Sequence, residues 1–177
     1  MTIEQLKYPI GKFEKIETIT KDILEKWISD IETFPTRLKE EVYHLTDQQL
    51  DTQYRPKGWT IRQVVHHCAD SHINSFTRLK LSLTEDNPTI KPYMEECWAE
   101  LTDNKTLPVG SSIKILEGIH ERWVTILRSL TSEEFKRTFI HPEQGKKIRI
   151  DENIGFYAWH CNHHLAHITT LKKQKGW

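Results

Sequence analysis

Apolar residues recur with a helical period along most of the chain. Between Thr20 and Leu45 they stand at Leu24, Trp27, Ile28, Ile31, Phe34, Leu38, Val42 and Leu45, a stripe that predicts one long helix. Thr20 is placed to cap it, and Pro35 inside the run predicts a kink. A second stripe, Ile61, Val64, Val65, Cys68, Phe76, Leu79 and Leu83, predicts a helix from Ile61 to about Leu83 that stops before Asn87-Pro88. Thr60 and Gln63 form a capping box at its start, with Trp59 ahead as a staple. Ile115, Leu116, Ile119, Trp123, Ile126, Leu127 and Leu130 mark a third helix, capped by Ser111 or Ser112. The fourth runs from an N-cap at Asp151 to a closing Gly176, with Ile154, Tyr157, Ala158, Cys161, Leu165 and Ile168 as its stripe. Lys172, Lys173 and Lys175 suit the negative end of that helix's dipole.

The segments between these helices read differently. Pro9 and Gly11 predict an extended lead-in over residues 1–19. Thr46-Asp47-Gln48-Gln49 begins a connection that ends at Tyr54-Arg55-Pro56-Lys57-Gly58. The stretch from Thr84 to Gly110 holds Pro88, Pro92 and Pro108, with room for a short helix over Glu95–Leu101. Its Tyr93, Met94 and Trp98 predict a packed cover; the plainer alternative is a crossover between two parallel helices. Thr131-Ser132-Glu133-Glu134 is a further capping box, opening a short helical turn. Arg137–His141 and Lys146–Ile150 then pair as a small hairpin around Pro142-Glu143-Gln144-Gly145. The fold class expected is all-α: a single four-helix-bundle domain over residues 1–177, its helix order left open by the long connection.

Composition narrows the partners. Hydrophobic residues make up 37% of the 177 and charged residues 28%, and Lys+Arg balances Asp+Glu at 25 each. No basic field is present for a nucleic-acid backbone or an anionic membrane. No run is long enough to span a bilayer and the first twelve residues lack a signal-peptide core, so a cytoplasmic location is expected. Three cysteines in unrelated settings make no disulfide framework, and Cys68 and Cys161 fall on apolar helix faces as small core residues.

The candidate chemistry lies in histidine. Four of the ten histidines fall within His160-Cys161-Asn162-His163-His164-Leu165-Ala166-His167. His160 and His164 are one turn apart on one helix face, roughly 5–6 Å between Cβ atoms. Two imidazoles so placed can converge on an ion with Zn–N bonds of about 2.0–2.1 Å. His163 and His167 share that spacing, but only His160 and His164 border the apolar stripe; His163 is expected to face solvent or an interface. A third ligand must come from elsewhere. The second helix offers His66, His67 and His72, and periodicity does not choose among them. His120 on the third helix reads as a satisfied core or boundary histidine. Between His160 and His164 there is no glutamate, so the site is not a zincin. Asp70, one turn beyond His67, reads either as a carboxylate orienting that imidazole or as a solvated side chain. Arg62, Arg78 and Arg149 read either as holders of an acidic substrate or as solvated cations, and the solvated reading is preferred.

The segment Trp59-Thr60-Ile61-Arg62-Gln63-Val64-Val65-His66-His67-Cys68-Ala69-Asp70-Ser71-His72 resembles the second-helix signature of the DinB-like superfamily. With Tyr8-Pro9-Ile10-Gly11, Ile90-Lys91-Pro92-Tyr93, Tyr157-Ala158-Trp159-His160 and His163-His164-Leu165-Ala166-His167, nearly the whole chain is similar to the YfiT group of metal-dependent hydrolases. The resemblance implies metal ligands at His67, His160 and His164, with His67 preceding Cys68-Ala69-Asp70 where the family usually has leucine first. It further implies one divalent ion per chain (Zn2+, with Ni2+ as the other candidate), a small-molecule substrate and a cytoplasmic homodimer. Three neutral imidazoles leave a coordination position open, as in catalytic zinc sites, where a bound water can reach a pKa of about 7. Hydrolysis is therefore the leading expectation. Other members resemble bacillithiol S-transferases, and a low-molecular-weight thiol is the alternative substrate. A non-enzymatic metal-binding stress protein is the third possibility.

Overall fold

The computed structural model describes residues 1–143 and 145–177. In chain order its elements are α1 (Ile3–Lys7), α2 (Lys21–Val42), α3 (Asp47–Leu50), α4 (Ile61–Thr84), α5 (Glu95–Trp98), α6 (Thr102–Thr106), α7 (Gly110–Ser129), a 3-10 turn (Glu134–Lys136), β1 (Thr138–His141), β2 (Lys146–Arg149) and α8 (Ile150–Lys175). The four long helices α2, α4, α7 and α8 are the four that the apolar stripes predict. No helix among the described residues is long and apolar enough to cross a membrane.

Local signals fix most of the boundaries. The Thr20 hydroxyl accepts from the Ile23 amide to start α2, and Thr60 with Gln63 closes a full capping box on α4. Gly176 ends α8 in the left-handed region at φ 72°, a conformation open to glycine without strain. Four boundaries differ from expectation. The lead-in contains α1, because Thr2 and Gln5 form a capping box ahead of Pro9. Thr46 and Gln49 do the same for α3. Helix α7 begins at Gly110 without a serine cap; the Ser112 hydroxyl is instead bonded to the His66 ring at 2.7 Å. Arg149, not Asp151, is the N-cap of α8, and the Asp151 carboxylate accepts from the Glu152 amide and from the Arg149 guanidinium within the first turn. The hairpin pairs Thr138 with Arg149 through His141 with Lys146, and the turn expected between the strands includes Gln144, which lies outside the described residues.

Contacts between helices set their directions. Along α2 and α8, Arg37 donates to Asn162 (2.9 Å) and Lys172 donates to Glu41 (2.6 Å), so the numbering rises together and the helices are parallel. Along α4 and α7, Arg62 reaches the Leu107 carbonyl, His66 reaches Ser112 and His72 reaches His120, again in parallel. Across α4 and α8 the order reverses: His67 meets His160, Ser71 meets Tyr157 and Ser75 meets Asn153. Both α2 and α4 pack against α7 and α8, so the consecutive helices α2 and α4 sit on a diagonal. Parallel neighbours α4 and α7 require the chain to travel back along the bundle, and residues 85–109 do so with α5 and α6. The plainer crossover reading of that segment therefore holds, while Tyr93 and Glu95 within it also wall the cavity described below.

The shared core contains Ile31, Phe34 and Leu38 of α2, Val64, Val65 and Cys68 of α4, Leu116, Trp123 and Leu127 of α7, and Ile154, Cys161 and Ile168 of α8. Ile115, expected on the α7 stripe, is 41% exposed and Ile113 is buried in its place, while Leu116, Trp123 and Leu127 are buried as the stripe predicts. Arg62 is not solvated: its guanidinium is buried, donating to Asp47 (2.8 Å), Asp51 (2.6 Å) and the Leu107 carbonyl (3.0 Å), which ties α3 and the crossover to α4. Gly155 marks the close approach of α8 to α2. A Cβ there would lie 2.8 Å from the Trp27 ring. Gly155→Ala would gain about 1 kcal/mol of helix propensity but overpack the contact by about 1–3 kcal/mol. A net loss is expected, read as a lower urea midpoint with unchanged slope.

Candidate metal centre

Eight of the ten histidines are buried: His66, His67, His72, His120, His160, His163, His164 and His167. A buried imidazole needs a partner for each nitrogen that water no longer serves. Following those partners sorts the cluster.

His66 is satisfied on both sides. Its Nε2 donates to the Leu107 carbonyl at 3.0 Å and its Nδ1 accepts from the Ser112 hydroxyl at 2.7 Å, leaving no lone pair for an ion. His72 is likewise engaged at both nitrogens, by His120 at 2.7 Å and by His160 at 3.2 Å. That leaves His67, whose Nε2 lies 3.3 Å from the Nε2 of His160. Of the three histidines that periodicity left open, His67 is the one grouped with His160 and His164, because the rings of His66 and His72 are engaged at both nitrogens.

His67, His160 and His164 bring one nitrogen each within 4.8 Å of the others, a grouping able to hold a metal ion. Helix α4 supplies the first and one face of α8 the other two, one turn apart. Two nitrogens about 2.0–2.1 Å from one tetrahedral ion lie about 3.3–3.4 Å apart, so the observed His67–His160 separation fits shared coordination. Two bare lone pairs would repel at that distance, so either a proton or a cation must lie between them. Burial, followed by the charges of neighbouring histidines, holds His67 down to about 4 and His160 and His164 well below the ordinary imidazole value. All three rings are therefore neutral at pH 7, the form that binds metal. The donor set fits a divalent ion of borderline softness.

His163, His164 and His167 form a second such group, and the Nδ1 of each is buried without a hydrogen-bond partner among the described residues. It shares His164, and a neutral imidazole has one lone pair, so a single ring serves one ion at a time. All three come from five consecutive residues of one helix. The group spanning two helices is the stronger candidate.

His163 does not face solvent. It is buried, stacked on Trp159 with centroids 4.3 Å apart and 18° between planes. The residues that cover this face of α8 are the lead-in: the Lys7 carbonyl accepts from His167 at 3.1 Å and the Gly11 carbonyl from Trp159 at 3.2 Å. Helical periodicity of α8 alone contains no trace of that covering segment. Asp70 neither orients His67 nor stands free in water; it is half-buried and accepts from Asn104 at 3.3 Å. Cys68 and Cys161 are fully buried and burial pushes both thiols upward, consistent with small core residues.

A cavity of about 810 Å³ reaches the cluster at His160, walled there by Ser71, Tyr93, Asn153, Phe156 and Tyr157. Of the three grouped histidines, His160 is the one that lines it. The Tyr157 hydroxyl lies 3.2 Å from the Ser71 hydroxyl and donates to the Ser71 carbonyl, also at 3.2 Å. Burial raises Tyr93 and Tyr157, so both remain protonated donors at neutral pH. The sequence offered His72 as a ligand candidate, Tyr93 as part of a packed cover and Tyr157 as part of the α8 stripe; what it did not show is the His72–His160 contact or that the two hydroxyls line one cavity. Arg78 lines the same cavity instead of standing in bulk solvent, and Arg149 is paired with Asp151.

Residues 30–168 match the family model of the DinB superfamily. The chain is 50% identical over 177 residues to "Putative metal-dependent hydrolase YfiT" of Bacillus subtilis (strain 168), covering 100% of this chain and 99% of the relative. A "putative metal-dependent hydrolase" of Oceanobacillus iheyensis is 54% identical over 171 residues, 97% of this chain and 98% of that one. The solved structure of Bacillus subtilis YfiT, described as "a probable metal-dependent hydrolase with an unusual four-helix bundle topology", superposes with a TM-score of 0.95 over 98% of this chain and 99% of its own, at 50% identity. A mycothiol-dependent maleylpyruvate isomerase shares the fold at a TM-score of 0.64 and 15% identity, over 82% of this chain and 60% of its own.

Proposed function

The chain belongs to the DinB superfamily, and from that premise we propose that it is a metal-dependent hydrolase of a small molecule, with His67, His160 and His164 as ligands of one ion. The observation that carries this reading is the 3.3 Å approach of two buried, neutral imidazole nitrogens from different helices, with His164 one turn from His160. Zinc is the proposed ion, with nickel as the alternative. Bound by three neutral imidazoles, such an ion supplies Lewis acidity and a coordination position for water or substrate.

The protein's own groups do the rest. The cavity admits a small molecule to the His160 side of the site, along a wall that includes Tyr157 and the partly exposed Phe156 ring. The Tyr93 hydroxyl, buried without a partner among the described residues, is free to donate to a substrate oxygen. Tyr157 and Ser71 hold each other and keep that wall fixed. A cytoplasmic homodimer belongs to the same reading and is checked by sedimentation equilibrium.

Thiol transfer is the second reading. In its favour, the hydrogen-bond partners found for His67, His160 and His72 include no carboxylate to act as a base for water. One experiment separates the two. Metal content of the purified protein is measured, and turnover is followed with and without chelator on a panel of amide and ester substrates and on bacillithiol plus monochlorobimane. Chelator-sensitive hydrolysis supports the first reading, chelator-sensitive conjugation the second. Bound metal with neither activity leaves a metal-binding protein, and activity indifferent to chelator removes the metal from the reaction.

A further inference from the structure

A chain of three histidines leads away from the site into the core. The Nδ1 of His160 lies 3.2 Å from the Nε2 of His72, the Nδ1 of His72 lies 2.7 Å from the Nε2 of His120, and the Nδ1 of His120 lies 2.6 Å from the carbonyl oxygen of Ile31. His72 is 0% exposed and His120 2%, so bulk water reaches neither ring. Phe34 packs on both, with centroids at 5.3 and 5.7 Å.

The far end of this chain has only one possible polarity. A carbonyl oxygen accepts and cannot donate, so His120 must carry a proton on Nδ1. Burial holds His120 down to about 4, so at neutral pH it has no second proton and its Nε2 is an acceptor. The proton in the next contact then belongs to His72 Nδ1, which leaves His72 Nε2 as an acceptor. The proton in the last contact belongs to His160 Nδ1, which leaves the Nε2 lone pair of His160 facing His67.

The carbonyl is free for this purpose because of the residue four positions on. In a regular helix the Ile31 oxygen would accept from the amide of residue 35, and that residue is Pro35, which has none. The proline that reads in the sequence only as a kink thus supplies an unpaired acceptor to the α7 side of α2.

We propose that His72 and His120 are positioning residues: anchored on the carbonyl that Pro35 leaves unpaired, they transmit a fixed proton order that holds His160 in the Nδ1-protonated tautomer and aims its Nε2 at the metal. The inference rests on the metal site proposed above, with His160 as a ligand. A neutral imidazole free to choose its tautomer presents the wrong nitrogen part of the time. Loss of groups that orient a ligand in this way typically lowers metal affinity about 10–100-fold.

The test begins on metal-free protein labelled with 15N-histidine, at neutral pH, by long-range 1H–15N correlation. His160 is expected as the Nδ1–H tautomer, and a proton on its Nε2 would overturn the inference. Next, zinc affinity is measured by chelator competition for wild type, His120→Leu and His120→Gln. The leucine variant breaks the order, and its zinc Kd is expected to rise about 10–100-fold as the His160 tautomer becomes mixed. Glutamine carries a donor for the Ile31 carbonyl and an acceptor for His72, so it should restore most of the affinity; a merely space-filling role for His120 would not distinguish the two. Unchanged affinity and tautomer in His120→Leu would also overturn the inference. If circular dichroism shows that His120→Leu is unfolded, the wild-type tautomer and the glutamine variant decide. If wild type binds no zinc while His160 is Nδ1-protonated, the metal reading fails and the relay stands.

Discussion

Replacing His160 with alanine is expected to strip the protein of bound zinc, to below about a tenth of an equivalent after gel filtration, because two imidazoles remain of a three-ligand set. His66 supplies the control. It neighbours His67 in sequence, yet both its nitrogens are engaged by Leu107 and Ser112. His66→Ala should therefore keep about one equivalent of zinc while losing about 1–3 kcal/mol of stability, from the groups it leaves unpaired. The two variants separate ligation from packing in opposite directions. Elemental analysis and urea unfolding on the same preparations read both, and stoichiometric zinc in His160→Ala would remove that residue from the ligand set.

The second large effect is on acid stability. Burial lowers His67, His120 and His167 to about 4 and His163 to about 3, against 6.5 for an unhindered imidazole. Between those values the unfolded chain binds protons that the folded chain refuses. Stability of the metal-free protein is therefore independent of these groups above about pH 6.5 and falls as pH drops below it, by up to about 1.4 kcal/mol per pH unit for each histidine. Four such groups by pH 5.5 remove several kcal/mol, comparable with the 5–15 kcal/mol that holds a typical domain together. Metal-free protein should thus unfold at mildly acidic pH. Zinc, competing with protons for the same nitrogens, should move that transition to lower pH and add about 4 kcal/mol at neutral pH when present at a thousand times its Kd. Urea midpoints at pH 7.5, 6.5 and 5.5, with zinc and with chelator, test this. A midpoint that is flat over that range without metal would contradict it.

Much of the bundle was legible because its signals are local. The Thr20 and Thr60 caps, the Thr131–Glu134 box and the Gly176 stop are made by residues within a turn of one another, and they formed where the sequence put them. Asp151 missed by two positions because Arg149 competes for the same turn. Ser112 missed because its hydroxyl had a better partner in His66, a residue 46 positions away. The His160–His164 pair was readable for the same reason as the caps, since one helical turn fixes it. His67 needed the family resemblance, because nothing local distinguishes it from His66 and His72.

The order of polar and apolar residues along this chain determined four long helices, the caps that start α2 and α4, the stop of α8, and one face of α8 rich in imidazole. The fold alone decided which imidazoles meet: α4 runs antiparallel to α8 and parallel to α7, so His67 reaches His160 while His66 is taken by Ser112 and His72 by His120. It also decided that the lead-in covers His163 and that Pro35 leaves a carbonyl for His120. Hydrogen bonds within a turn depend on neighbours in sequence, whereas the protonation, burial and partner of a core histidine depend on whichever helix is packed against it.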